Sequence, residues 1–463
     1  LTGPLSDLID PLRGGMGRLG EQVSGGVLRL GVTGLRRSGK TVFVASLVHN
    51  LLNPGRLPFF DPARAPEFVA RLEPQPDLSV PRFDVEARLA ELTGVPPRWP
   101  EPTRAVSRVR LAIRYRPTGA IRRRLGDTAT LRLDIVDYPG EWLLDLPMLG
   151  QDYAAWSRQT LDLSERPLRR ERAAEWRAHL ATLDPAARAD EGTARQAARL
   201  YTAYLRACRE SDAPLSLLQP GRFLEPGEME GAPALEFCPM PVGGRTGRGT
   251  LGRLMEDRFA AYKRHVVRRF FRTHFAGLDR QLVLVDLLGA MNAGSEGVAD
   301  LRTALETSLA AFRHGRPSWP GRLFRPSIDR VLFAATKSDH VAAGQHRRLR
   351  ELMGQLVKDA RDAIRFEGAT VETMAIAAVK CTETVTVDQD GRPLACVKGI
   401  PVGRSKPTVL FPGELPESLA DLAEPRHRFL RFEPPPGLGR DGRGFENARL
   451  DQALQFLIGD RLA

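Results

Sequence analysis

Gly34-Leu35-Arg36-Arg37-Ser38-Gly39-Lys40-Thr41 decides how this chain is read. The stretch matches G-x-x-x-x-G-K-[ST], and each fixed position has a physical reason. Gly34 and Gly39 let the backbone turn without a Cβ, so that successive N–H groups point inward at an anion. Lys40 supplies an ammonium against phosphate charge, and Thr41 a hydroxyl suited to Mg²⁺. Working outward, Val27–Thr33 is a short apolar strand and Thr41–Leu52 an apolar helix. The helix adds the positive end of its dipole to the loop. Strand, glycine-rich turn and helix in that order predict a phosphate-binding loop, with Arg37, Ser38 and Val42 beside the anion. The competing reading is a glycine-rich turn with an accidental Lys-Thr.

The strand Thr130–Asp137 ends in Asp137-Tyr138-Pro139-Gly140, which fits D-x-x-G. There the Asp would hold Mg²⁺ through a water and the Gly140 N–H would meet a γ-phosphate. Asp286-Leu287-Leu288-Gly289 is a rival that also follows an apolar strand. Asp137 is preferred because it follows the phosphate loop by two strands and precedes a helical segment, Glu141–Leu149. Thr103 stands just before the strand Val106–Tyr115, either as a further Mg²⁺ ligand or as an ordinary loop threonine.

Thr336-Lys337-Ser338-Asp339 follows the strand Arg330–Ala335 and matches [NT]-K-x-D. A carboxylate at Asp339 accepts two hydrogen bonds from guanine, whereas adenine has no such donor pair and would leave it unpaired. The Lys337 stem would stack on the base. Ala378-Val379-Lys380 ends the next strand and stands either as the loop behind the guanine O6 or as a plain strand end.

Around these motifs the chain alternates strands with helical patterns. Gln281–Leu287, Arg330–Ala335 and Thr370–Ala377 read as strands, and Ala299–Phe312 and Gln345–Phe366 as helices. This predicts an α/β fold, a mostly parallel sheet with helices on both faces. Residues 1–26 hold a helix candidate, and 53–102 are proline-rich and read as irregular. The strands Val106–Tyr115 and Thr130–Asp137 would pair antiparallel through a hairpin-like connection, Arg116–Asp127. Residues 150–277 turn helical and read as a large inserted helical domain, with 211–250 interrupting it. A hairpin turning at Asp390–Gly391 and a last helix with Asn447 as its cap close the chain. The division expected is 1–26, 27–149, 150–277, 278–383 and 384–463.

With 463 residues, 42% hydrophobic and 27% charged, the chain reads as an ordinary globular protein. No apolar run reaches a membrane-spanning length, and no secretory signal is apparent, so a cytoplasmic location is expected. Four cysteines and eight histidines show no metal-ligand spacing. The net charge of +12 points either to anionic partners or to basic residues spread over helix surfaces. Specific nucleic-acid binding is not expected. Lys263–Arg272 mixes basic residues with Val266, Val267, Phe270 and Phe271; it reads either as a lipid or partner contact, or as core on one face.

The four motifs in order resemble those of Ras-like and Gα-like GTPases. More closely, LDIVDYPGEWLLDLPML, LVLVDLLGAMNAG, ATKSDH and RLDQALQFLIGDRL resemble the YcjX-like bacterial stress-protein family. The resemblance implies a P-loop G domain with a helical insertion, binding of GTP and GDP, and slow GTP hydrolysis with Mg²⁺. It also implies a stress response at the inner membrane, with a YcjF-like membrane protein as partner. Two positions depart from the small-GTPase pattern. Glu141 stands where a water-orienting Gln is usual, and Arg36 where Gly is common. Arg36 would be either a built-in arginine finger or a solvent-facing side chain. Lys40, Glu141 and Arg36 are therefore the candidate catalytic groups. An ATP-hydrolysing protein and a nucleotide-bound scaffold with little turnover are the alternatives.

Overall fold

A computed structural model of the chain describes residues 26–35, 37–103, 105–118, 128–211, 214–241, 247–275, 277–310, 328–422 and 429–463. The helix expected within 1–26, the connection over 119–127 and Arg36 lie outside them.

The central sheet is α/β and mostly parallel. Its strands are β1 (Val27–Gly34), β2 (Val69–Glu73), β3 (Ser107–Tyr115), β4 (Ala129–Asp137), β5 (Arg280–Val285), β6 (Arg330–Ala335) and β7 (Thr370–Ala375). They lie in the order β2-β3-β4-β1-β5-β6-β7. β4, β1, β5, β6 and β7 run parallel, while β3 is antiparallel to both β4 and β2. The antiparallel β3–β4 pair is the one expected from the sequence. β1 carries the phosphate loop and sits where strand order reverses, between β4 and β5. In sheets of this kind ligands bind beyond the carboxyl ends of the strands at such a point.

Continuous apolar runs let the central strands be buried on both faces. On one face α1 (Lys40–Leu52) packs Phe43, Val44, Leu47 and Val48 against Leu30, Leu133 and Leu282. The opposite face is covered by residues 294–310 and 346–366, whose Leu305, Leu352 and Ile364 meet Val283, Phe333 and Val371. The span Gln345–Phe366 is two helices, His346–Leu356 and Lys358–Phe366, rather than one.

The proline-rich stretch 53–102 is less irregular than expected. It contains β2 and α2 (Val85–Thr93), capped by Asp84, whose Oδ1 accepts from the Ala87 N–H at 2.9 Å. β2 is a five-residue edge strand, too short for its alternation to stand out among prolines.

Between β4 and β5 the chain leaves the sheet. A 3₁₀ segment, Gly140–Gly150, leads into α3 (Tyr153–Ser164), α4 (Pro167–Ala181), α5 (Glu191–Glu210) and α6 (Leu251–Tyr262). α6 continues through π-helical turns at Lys263–Val267 and Phe271–Phe275. An aromatic core holds these helices together. Trp176 stacks on Tyr204 with ring centroids 5.3 Å apart, and Trp156 on Phe259 at 5.1 Å. Val266, Val267 and Phe270 are buried in the same core, so the apolar half of Lys263–Arg272 faces inward.

Beyond β7 a three-stranded antiparallel sheet forms from β8 (Glu383–Gln389), β9 (Arg392–Gly399) and β10 (Thr408–Leu410). The β8–β9 turn places Asp390 and Gly391 at φ 54° and 76°, the left-handed pair that a two-residue hairpin favours. The final helix, Leu450–Ile458, has Arg449 at its cap position (φ 59°) rather than Asn447 as expected, although the Asn447 Oδ1 accepts from the Leu450 N–H at 3.3 Å.

Candidate functional site

The phosphate loop turns from β1 into α1 at Gly39, whose φ of 79° lies in the left-handed region. α1 has no side-chain cap, so the amides of its first turn face the loop without an internal partner. The Ser38 hydroxyl is buried and has no hydrogen-bond partner among the described residues. Open amides and a lone hydroxyl around a positive helix end are what an anion would satisfy.

At this end of the cleft four predicted side chains converge. The Lys40 ammonium donates to Asp137 Oδ1, and both groups are buried. Thr103 Oγ1 donates to Asp137 Oδ2 at 2.6 Å and lies 3.1 Å from Thr41 Oγ1. Thr41, Thr103 and Asp137 thus form a cluster of hard oxygen donors, the set that suits Mg²⁺. Gly140 packs so closely on the loop that an added Cβ would stand 2.1 Å from the Gly34 carbonyl oxygen. The D-x-x-G glycine therefore lies directly against the phosphate loop.

Asp286, the rival of Asp137, is engaged elsewhere. Its Oδ1 accepts from the Gly289 N–H at 3.0 Å, capping a short helix, and its carboxylate also holds Lys337.

Glu141 faces the cleft next to the loop. Burial, and then the neighbouring Glu225, push its carboxyl above the ordinary range; Lys40 and Arg209 oppose them. Glu225 comes from the 211–250 stretch and is held by Arg209 at 2.7 Å. The helical layer thus contributes a carboxylate to the cleft.

At the other end, Asp339 is buried and split in its loyalties. Its Oδ2 accepts from the N–H groups of Cys381 at 2.8 Å and Thr382 at 3.3 Å. Its Oδ1 is buried with no partner among the described residues. An orphaned carboxylate oxygen in a cleft calls for a donor from a ligand. Lys337 adopts φ 59° and lines the same cleft with Thr336 and Val379. Lys380 does not: its side chain is exposed on another face, and Cys381 takes the place beside the cleft. Asp339, His340 and Cys381 lie within 4.8 Å of one another. Burial, and then the neighbouring Asp339, hold the Cys381 thiol well above its usual range.

Phosphate end and base end share one cleft of about 470 Å³. Arg37, Ser38, Val42, Glu141 and Thr103 line it, as do several residues the sequence did not mark: Trp99, Glu225, Cys381, Arg431 and Phe432. Trp99 and Phe432 lie in proline-rich stretches with no motif, so only their aromatic character hinted at a role.

The YcjX-like family model, DUF463, matches residues 28–462. A protein of Escherichia coli (strain K12) called "Ras-like GTPase YcjX" is 42% identical over 448 residues, covering 94% of this chain and 96% of that protein. One of the same name from Shewanella oneidensis (strain MR-1) is 39% identical over 464 residues, covering 94% of each. Among solved structures, the signal recognition particle receptor SRb-GTP/SRX complex from Chaetomium thermophilum covers 79% of this chain and 93% of its own at 12% identity. Its TM-score of 0.23 is too low to bear on the fold. A family model spanning the sheet, the helical layer and the final helix, together with two relatives over nearly their full lengths, leaves one assignment: the chain belongs to the YcjX-like family.

Proposed function

We infer that this protein binds guanine nucleotides and hydrolyses GTP to GDP with Mg²⁺. One observation carries the reading. The cleft offers Lys40, Thr41, Thr103 and Asp137 at one end and the unpartnered Oδ1 of Asp339 at the other. The first group suits a triphosphate and a hard cation, the second a base edge that presents donors. The names of the two relatives, each a Ras-like GTPase, agree with it.

On this reading the loop amides between Gly34 and Val42 cradle the phosphates, and Lys40 turns from Asp137 to the β and γ oxygens. Thr41, Thr103 and Asp137 would hold Mg²⁺, which when bound neutralises charge on the phosphate oxygens. Gly140 directs its N–H to the γ-phosphate. Asp339 reads guanine through Oδ1, while the Cys381 and Thr382 amides fix its orientation. Glu141 is the cleft carboxylate next to the loop and sets how readily the attacking water is positioned, which favours slow turnover. Residues 27–149 and 278–383 form the nucleotide-binding core, and 150–277 the helical insertion. A role as a switch in a bacterial stress response, with a YcjF-like inner-membrane partner, follows from the family likeness alone. No helix among the described residues is long and apolar enough to cross a membrane.

Calorimetry with Mg²⁺ tests the reading: GDP binds and ADP does not, and added GTP releases phosphate. Absence of GDP uptake by the folded protein overturns it; preference for ADP transfers the account to an ATP-hydrolysing protein.

A further inference from the structure

Trp99 and Phe432 are 333 residues apart in sequence, yet the Trp99 Nε1–H donates to the Phe432 carbonyl at 2.8 Å. Both side chains line the cleft. Each also has a second attachment. Trp99 begins the short run that ends at Thr103, and Thr103 is hydrogen-bonded to Asp137 and Thr41 at the phosphate end. The Phe432 ring stands edge-on to His340 with centroids 5.0 Å apart, and His340 follows Asp339 at the base end. The backbone on either side of Phe432 is tied to the strand-like extension of β9. Val402 N–H donates to the Arg431 carbonyl at 2.8 Å and Glu433 N–H to the Ile400 carbonyl at 2.7 Å. One tryptophan–backbone bond therefore joins the run leading to the Mg²⁺-ligand candidates to a segment from the far end of the chain.

We propose that Trp99 and Phe432 form a clasp across the cleft, so that the 429–433 segment controls how fast the nucleotide leaves. This rests on the guanine-nucleotide reading above and assigns a positioning role to two residues that no motif marks. On this proposal a nucleotide stretched between Lys40 and Asp339 lies against the two residues that line the cleft, and its departure requires their bond to open. Trp99 is only half-buried, whereas Phe432 is 1% exposed. Trp99 is thus the arm that swings and Phe432 the fixed catch. Because the run from Trp99 to Thr103 is anchored at both ends, a partner that displaces 429–433 would loosen Thr103 as well. The clasp gives the C-terminal region a route to both affinity and exchange.

The test measures dissociation of a fluorescent GDP analogue, chased by unlabelled GDP, from the full chain and from Trp99→Phe. Phenylalanine keeps an aromatic ring at the position and removes the donor together with part of the indole's bulk. The expected result is release about three- to tenfold faster, the factor that loss of one neutral hydrogen bond brings, with the melting temperature of the nucleotide-free protein lowered by only a few degrees. Hydrogen exchange on the unmodified protein gives a readout independent of any variant: GDP should slow exchange at 99–103 and 429–433 together. Release at the original rate, or no protection of 429–433, overturns the clasp while leaving nucleotide binding intact. If the unmodified protein takes up no GDP, the nucleotide reading fails and the clasp falls with it.

Discussion

Thr103 donates to Asp137 at 2.6 Å, bringing the end of a proline-rich loop onto the end of β4. Lys40 occupies the other oxygen of the same carboxylate. Asp137 is fully buried, so this pairing is what keeps its charge tolerable there. If GTP and Mg²⁺ take over these partners, Asp137→Ala and Lys40→Ala should each lower GTP turnover by at least about a hundredfold, the scale of losing one preorganised electrostatic group. Phosphate release under saturating GTP checks this. Turnover near the original rate in either variant would mean the chemistry lies elsewhere.

The lone Oδ1 of Asp339 makes base preference testable by a one-atom change. Asp339→Asn replaces an acceptor by a mixed donor and acceptor. Guanine then loses a partner for its amino group, and GDP affinity should fall by about ten- to a hundredfold. Xanthine carries a carbonyl where guanine has that amine, so the variant should gain affinity for XDP. Competition titrations of GDP and XDP read both effects; parallel losses for the two bases would assign Asp339 a merely structural part.

The site was legible where local sequence dictates local geometry. A loop that must turn at φ 79° and present open amides needs Gly39 and its neighbours in fixed order, and they read directly from the chain. The same holds for the central strands, whose apolar runs reflect burial on both sides, but not for the short edge strand β2. Trp99, Glu225 and the adjacent pair Arg431 and Phe432 reach the cleft from three separate places, by tertiary packing alone. No spacing rule connects Trp99 to a carbonyl 333 residues away. α2 was missed for a different reason: the Asp84 cap was present, but surrounding prolines outweighed a nine-residue helix. Lys380 lies beyond the end of β7 in irregular chain, where no strand alternation fixes direction; its side chain is on another face and Cys381 lines the cleft.

Glu141 should make nucleotide affinity depend on pH. Its carboxyl is pushed up by burial and by Glu225, so the neutral form persists to higher pH than for an exposed glutamate. Once ionised it repels a triphosphate. GTP affinity of the unmodified protein should therefore weaken as pH rises through that raised value. Glu141→Gln fixes the neutral shape, and its affinity should stay flat over the same interval. Titrations of a non-hydrolysable GTP analogue at several pH values compare them; identical profiles would show that Glu141 does not face the phosphates.

Asp145 links the 3₁₀ segment after Gly140 to the helical layer, and it makes stability depend on pH in an unusual direction. Its carboxylate accepts from Tyr262 Oη at 2.5 Å, from the Gly221 N–H at 2.7 Å and from the Arg222 N–H at 3.3 Å. Burial outweighs these bonds and pushes the carboxyl from the usual 3.8 up to about 6. A carboxyl raised on folding holds its proton in the native state after the unfolded chain has lost it. Between those two values the native state binds more protons, so stability falls as pH rises, and levels off above the higher one. A shift of about two units corresponds to about 2–3 kcal/mol. Asp145→Asn cannot titrate and should lack this slope, although losing one acceptor oxygen offsets its stability by a constant amount. Urea unfolding of both proteins from about pH 4 to pH 7 should show the unmodified protein losing about 2–3 kcal/mol relative to the variant, mostly below about pH 6. A constant difference throughout would mean that Asp145 titrates as an ordinary carboxylate, its three donors offsetting its burial in full.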